Sequence, residues 1–491
     1  MDLVSEFGDP RVLLLAEDHI VLKLETPWPP DQVLPEGLSL VDDAGVFLVV
    51  NQKSLICAFE RGSLQGTRIS KALFCGCESF HSWDRYANAA SALLREAEEI
   101  CILHNKDKVY KLIRLFPCVK VLALPHDGCV HQLELDEPCR DRSAPLVKKS
   151  ELRELVGNAS HMGEGGLAIT PDTTLALIRA CPHVRRIDSH WVLACLMSPL
   201  GSMTSTQRRM SESFTHLWLP CLDGGSSGGP DKEDELDATL IAKRFSSVTN
   251  LNVGVESPEA FAKVSAFCNL RSLLVEIRPD RAIANLNPQL CGVLAASPGL
   301  VELTLGRFAG LSLFAITRLC PRLKKLKLER CLVADCDIPA GAFSHLEYVD
   351  IDVDIITSAF MEFMRATRDT LRVARFGSDG LCLAFLQLSV LNPVFQPFPH
   401  LEHLTLNTNL SLKCLRVTPT QVNDMIKALP VLCHLETNSY DLRLLIENYW
   451  VPRGRVSLSW VGCVYCAVSN PGHAWCEKML AFIKDHRASM V

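Results

Sequence analysis

The densest set of side chains able to hold a metal lies near the C-terminus, where Cys463 and Cys466 are followed by His473 and Cys476. Four soft or borderline donors so close together suit tetrahedral zinc. Between the first two cysteines, however, stand Val464 and Tyr465, strand formers where a zinc knuckle needs a tight turn. In a strand, positions three apart point to opposite faces. The expected role is therefore that of buried cysteines in a terminal cap, with no metal and no cofactor; a zinc-binding or redox enzyme centred on this cluster is the alternative. As a redox motif it lacks a thioredoxin-like βαβ context. Cys75, Cys77 and His81 form a looser cluster open to the same two readings. Asp350, Asp352 and Asp354 alternate in DIDVDI and would project to one face of a strand. Three carboxylates together could take Mg²⁺ or Ca²⁺, but polar alternation is also the mark of any solvent-facing strand. No P-loop, Rossmann glycine pattern, His-Glu-x-x-His or nucleophile elbow is present. His183, His345, His400, His403 and His434 fall mostly beside apolar positions, where edge-of-core roles are usual. With no foothold for catalysis, the chain is expected not to be an enzyme.

Composition narrows the field further. With 48% hydrophobic and 22% charged residues the 491-residue chain has ample core for an ordered protein. A net charge of -6 gives no global footprint for nucleic acid or an anionic membrane surface. The first residues carry acids where a signal peptide needs cations, and the longest apolar run, GLCLAFLQLSVL, is too short to span a bilayer. The 21 cysteines are scattered and odd in number, as expected of reduced core residues rather than a disulfide framework. The chain is thus expected to be soluble and cytoplasmic or nuclear.

What must position the polar residues is a repeat. The stretch CPRLKKLKLERC, residues 320–331, sets Leu323, Leu326 and Leu328 in an L-x-x-L-x-L pattern. The pattern returns at Val248, Leu270, Leu300, Leu346, Leu371 and Leu401, with successive spacings from Val248 to Leu401 of 22, 30, 23, 23, 25 and 30 residues. Looser copies start at Ala97, Val119, Leu152, Val184 and Phe214. A proline precedes the first apolar position by two at Pro117, Pro182, Pro298, Pro321, Pro399 and Pro430, marking where a helix ends and a strand begins. Thr170-Pro171, Ser257-Pro258 and Thr418-Pro419 pair an N-cap hydroxyl with proline at the first helical position. Each unit reads as strand, turn and returning helix, and stacked units bury an apolar face that one alone cannot.

The unit Cys320-Pro-x-Leu-x-x-Leu-x-Leu-x-x-Cys331 resembles the leucine-rich-repeat family, and its two cysteines resemble the cysteine-containing subclass common in F-box ubiquitin-ligase receptors. The resemblance implies an α/β solenoid with a curved parallel sheet inside and helices outside. The turn residue eight after the first leucine fits only at Cys331 and Asn409, so the repeats are irregular. The expected organisation is an N-terminal β-rich and helical cap over 1–96, the repeat array over 97–440 and a C-terminal cap over 441–491. The Gly/Ser/acid-rich residues 222–236 should interrupt the array as a disordered loop.

In stacked parallel strands about 4.8 Å apart, the residues between the leucines face the concave side. Aligned units place Lys324, Glu347, Arg372 and Glu402 in one column, and Thr304, Lys327, Asp350, Arg375 and Thr405 in another. The charges alternate in sign, which could mean mutually neutralising cross-strand pairs of about 0.2–1 kcal/mol each. With Lys325, Tyr348 and His403 the same ladder would make a concave face for a protein partner, with nucleic acid disfavoured by the interleaved acids. Reversing Lys327 or Asp350 is then expected to leave thermal unfolding nearly unchanged while abolishing partner capture. If the subclass carries function, the partner is a ubiquitin-ligase substrate and an adaptor binds the N-terminal region. An F-box, however, would be helical after Leu34-Pro35, and VDDAGVFLVV reads as strand and turn.

Overall fold

The computed structural model describes most of residues 19–125, 151–222 and 238–460. Residues 1–18, 126–150, 223–237 and 461–491 lie outside the described residues, as do shorter stretches, the longer being 41–45, 75–83, 103–111, 159–168, 198–204, 278–285, 387–397, 408–417 and 447–456. The chain divides into two compact units, residues 1–220 with 243–251 and residues 221–242 with 252–491.

Eight strands form one sheet: β1 (His19–Leu24), β2 (Leu38–Leu40), β3 (Phe47–Asn51), β4 (Ile69–Phe74), β5 (Glu99–Ile102), β6 (Val121–Pro125), β7 (Glu154–Asn158) and β8 (Arg186–Ile187). Their order is β2-β3-β1-β4-β5-β6-β7-β8. Antiparallel pairing joins β2, β3, β1 and β4, with Leu38 opposite Val50. Pairing turns parallel at β4, which sets Lys71 against Glu99, ahead of residue 97 where the sequence pattern starts. Between β3 and β4 lies a helix, Gln52–Glu60. Asn51 caps it by accepting from Ser54 N at 2.8 Å, and Leu55 and Ala58, three apart, are buried.

Ten strands form the other sheet: β9 (His216–Leu222), β10 (Asn250–Val255), β11 (Ser272–Ile277), β12 (Glu302–Gly306), β13 (Lys325–Leu332), β14 (Tyr348–Asp354), β15 (Val373–Phe376), β16 (His403–Leu406), β17 (His434–Thr437) and β18 (Ser457–Trp460). They lie in chain order, and every pair from β11 to β18 is parallel. The pattern that runs through the sequence as one array is thus divided between two sheets.

Register follows the repeat. Leu273, Leu303, Leu326, Val349, Ala374, Leu404 and Leu435 are successive partners across neighbouring strands. Each of them is no more than 1% exposed, and a fully buried Leu or Val contributes about 1.5–3 kcal/mol over leaving it in water. A one-residue slip would turn this whole row to solvent, which is why the register is strict. The degenerate unit of Leu371, Ala374 and Phe376 fills its share with a ring: Phe376 lies 5.3 Å from Phe360 and 5.2 Å from Phe385 between centroids.

The returning helices start where the hydroxyl-proline pairs indicate. Thr170 and Ser257 accept from Thr173 N and Ala260 N, each with proline in the first turn. Thr418 and Gln421 form a reciprocal box, Gln421 N donating to Thr418 Oγ1 at 3.3 Å and Thr418 N to Gln421 Oε1 at 2.9 Å. Ser312 caps the helix Leu313–Leu319 by accepting from Ala315 N. The prolines Pro298, Pro321 and Pro430 stand between a helix and the following strand.

Candidate functional site

The pleat sends Leu326 and Leu328 to the core and Lys325, Lys327 and Glu329 to the other face of β13. The same parity gives that open face Glu302 and Thr304 from β12, Tyr348, Asp350 and Asp352 from β14, Arg375 from β15, His403 and Thr405 from β16, and His434 and Glu436 from β17. Two rows result. One runs Glu302, Lys325, Tyr348, Val373, His403, His434; the other runs Thr304, Lys327, Asp350, Arg375, Thr405, Glu436.

Lys324, Glu347, Arg372 and Glu402 stand elsewhere than the simple column reading puts them. Each immediately precedes a strand and shares the parity of the core leucines, so these four line the N-terminal edge of the sheet rather than its open face. They do pair there. Lys324 Nζ lies 2.9 Å from Glu347 Oε1 and Arg372 Nη1 3.6 Å from Glu402 Oε1, all four about half exposed. Such exposed pairs are worth about 0–1 kcal/mol.

On the open face Lys327 and its partners are better covered, while Lys325 is itself about half exposed. Lys325 Nζ meets Glu302 Oε1 at 2.9 Å, and Lys327 Nζ reaches Glu329 Oε1 at 2.7 Å and Asp350 Oδ2 at 3.5 Å. Burial works against the Lys327 charge, but Asp350 and the hydrogen bond to Glu329 outweigh it and hold the ammonium pKa above its ordinary value. The Arg375 guanidinium sits 5.7 Å from the Tyr348 ring centroid, within cation–π range. Beside it the imidazoles of His403 and His434 face each other at 5.7 Å, and His434 is buried. Burial, helped by Arg375 and opposed by Glu402, lowers the His403 pKa, so this imidazole is neutral at ordinary pH.

Glu302, Glu329 and Glu436 were not singled out in the sequence, and His434 was read there as an edge-of-core histidine rather than as part of the face. Glu302 and His434 precede Leu303 and Leu435 as Lys325 precedes Leu326, so extending that row by one strand each way would have found them. Glu329 lies past the last leucine of its unit, outside the two columns compared.

The cysteines at the ends of CPRLKKLKLERC are core residues, not a clip. Cys320 caps the C-terminus of its helix and Cys331 lies under the sheet end, its Sγ 3.3 Å from Leu305 O. Burial pushes the two thiols up to about 12 and about 11. Asp350 and Asp352 do share a face, but Asp350 is engaged by Lys327. Among the described residues no group of three or more His, Cys, Asp or Glu is placed to hold a metal. Cys463, Cys466, His473 and Cys476, and likewise Cys75, Cys77 and His81, lie outside the described residues. His183, His345 and His400 are exposed beside their strands. Among the described residues no helix is long and apolar enough to cross a membrane.

No family model matches the chain, and no curated protein does. Among solved structures it is similar to a chain of the yeast Rad7 and Elc1 complex, at 11% identity over 84% of this chain and 92% of that one, with a TM-score of 0.38. It is also similar to an internalin of Listeria monocytogenes, at 13% identity over 86% and 87% with a TM-score of 0.28. A leucine-rich-repeat protein of Leptospira interrogans gives 12% identity over 87% and 95% with a TM-score of 0.30. Likenesses this slight do not speak to function; the repeat reading rests on the strand order and register described above.

Proposed function

We propose that this chain is a non-catalytic protein-interaction module, a leucine-rich-repeat solenoid whose open, concave sheet face takes hold of a folded partner. One observation carries the reading: strands β12 to β17 hold two in-register rows of polar and aromatic side chains, Lys325, Lys327, Tyr348, Asp350, Arg375 and His403 among them, on a continuous parallel ladder. Lys324, Glu347, Arg372 and Glu402 extend the face along one edge. Cations and acids alternate along it, which suits a partner chosen by pattern rather than a nucleic-acid backbone, where basic excess is the rule. By its resemblance to the cysteine-containing subclass, the chain serves as a substrate receptor of a ubiquitin ligase, with the adaptor on the N-terminal region, in the cytoplasm or nucleus.

Point substitutions test this better than removing residues before 96, because a cut there would strip β4 from β5. Lys325→Glu and Tyr348→Ala, both on the open face, should lose the same set of proteins from a cell-extract capture read by mass spectrometry. Lys263→Glu, on the helical side, should keep them. Capture unchanged by both face variants would move the binding surface elsewhere. A captured set without a ubiquitin-ligase adaptor would remove the receptor role and leave the binding face standing.

A further inference from the structure

Two arginines at equivalent places in neighbouring repeats have a left-handed backbone: Arg307 with φ 65 and Arg330 with φ 52. Each stands two residues after the last apolar position of its unit, Leu305 and Leu328. That backbone region is costly for a residue with a Cβ and ordinarily falls to glycine. For Arg307 the compensation is visible. Its Nη1 donates to Glu276 Oε1 at 3.1 Å and to Ile277 O at 3.3 Å, both one strand back on β11.

Arg330 has no such arrangement. Glu276 is in register with Gly306, so the strand one back from Arg330 carries a glycine where the matching carboxylate would be. The neighbouring acid Glu329 is engaged by Lys327 at 2.7 Å. Arg330 is exposed, and it is the extra residue where the β13–β14 register shifts between Glu329 and Cys331. Bulges of this kind re-aim a side chain. Among the described residues its guanidinium makes no ion pair and no side-chain hydrogen bond.

We infer that Arg330 is a specificity-determining contact of the binding face proposed above, on which this inference rests. It takes a carboxylate from an acidic segment of the protein partner, completing across the interface the pair that Arg307 and Glu276 make within the chain. A guanidinium offers a carboxylate two parallel N–H donors, so the contact selects geometry as well as charge.

The test is fluorescence anisotropy of a fluorescein-labelled hexaglutamate peptide with the full-length chain at low ionic strength, with labelled hexalysine as control. Arg330→Gly removes the guanidinium and relieves the backbone, whereas Gly306→Glu supplies the missing internal carboxylate. Both should weaken hexaglutamate binding by about tenfold, the size of one well-formed contact. Thermal unfolding of Arg330→Gly should not fall, a combination that a merely structural arginine would not give. A variant that binds poorly and also melts early has misfolded, and then the other decides. If both variants bind like the wild type while Lys325→Glu binds weakly, the face stands and the role of Arg330 is overturned. If all three bind like the wild type, the face itself is misplaced. Binding of hexalysine as tight as that of hexaglutamate, or of neither peptide, overturns acid recognition.

Discussion

Lys327→Glu puts the ladder under the sharpest load. The Lys327 side chain is 28% exposed and reaches Glu329 at 2.7 Å and Asp350 at 3.5 Å. Unit charges 3.5 Å apart interact by about 1 kcal/mol at the dielectric of water and by about 5 kcal/mol at an effective dielectric of 20. A partly buried pair lies between these limits. The substitution turns two attractions into repulsions, and after side-chain relaxation the cost is about 2–4 kcal/mol. For a unit of this size that lowers the unfolding midpoint by about 4–16 °C, at about 2–4 °C per kcal/mol. The structure thus reverses the expectation, drawn from an exposed ladder, that this substitution leaves unfolding unchanged. Adding Asp350→Lys restores an opposite pair, but Asp350 is in register with Arg375, so recovery is partial. The coupling between the two changes should be about 1–2 kcal/mol in favour of the double variant. Differential scanning fluorimetry of the wild type, both single variants and the double measures it. A Lys327→Glu midpoint within about a degree of wild type, or strictly additive shifts, would refute the reasoning and mean that water screens the pair.

Three further outcomes follow from the geometry. His216, whose Nδ1 lies 2.8 Å from Thr215 Oγ1, has its pKa lowered from 6.5 to about 3 by burial and by Arg186, with Asp188 opposing. Its contribution is complete above 6.5 and is lost as the pH falls toward 3, because the unfolded imidazole takes up a proton first. At about pH 5 the loss is on the order of 2 kcal/mol, so His216→Gln should flatten the drop in melting temperature between about pH 7 and pH 5; an unaltered slope would count against it. Under native conditions at mildly alkaline pH, iodoacetamide should label exposed Cys57, Cys268 and Cys433 and spare Cys320 and Cys331. Early labelling of the last two, read by peptide mass mapping, would reopen the clip interpretation. Thr170→Ala should cost about 1 kcal/mol and Thr170→Asn little, since Thr170 Oγ1 accepts from Thr173 N at 3.2 Å; equal losses in denaturant titrations would mean the cap is idle.

The strand series was legible because parallel stacking forces one apolar row, and that row survives even when a unit is reduced to Leu371, Ala374 and Phe376. The helix caps were legible for a local reason, a hydroxyl set before proline. The helix Gln52–Glu60 was not, because its two inward residues, Leu55 and Ala58, make too short a period to outweigh the strand formers just before it. Nor was the placement of Lys324 and Glu347. Charge order alone puts them in a column, and only the point where the ladder begins shows that they sit at its edge. The Arg330 bulge was illegible for a different reason: the residue count across Glu329 to Cys331 fits an unbroken strand as well as a shifted one, and backbone handedness has no signature in an arginine.

Alternating charge has two opposed consequences for a binding sheet. It holds neighbouring strands in register, as Glu302 with Lys325 and Lys327 with Asp350 show, but it also spends most of each charge inside the molecule. A partner competing for Lys327 must first displace Asp350 and Glu329, which weakens any gain. On the binding role proposed above, recognition would fall to the places where alternation lapses. Lys325 faces Tyr348 on its other side, Arg375 faces Thr405, His403 faces His434, and Arg330 finds Gly306 where an acid would complete its pair. If that is so, substitutions at Lys325, Tyr348 and Arg330 should alter binding more than stability, while those at Lys327 and Asp350 should do the reverse. A variant set in which binding losses simply track melting temperatures would dissolve the distinction.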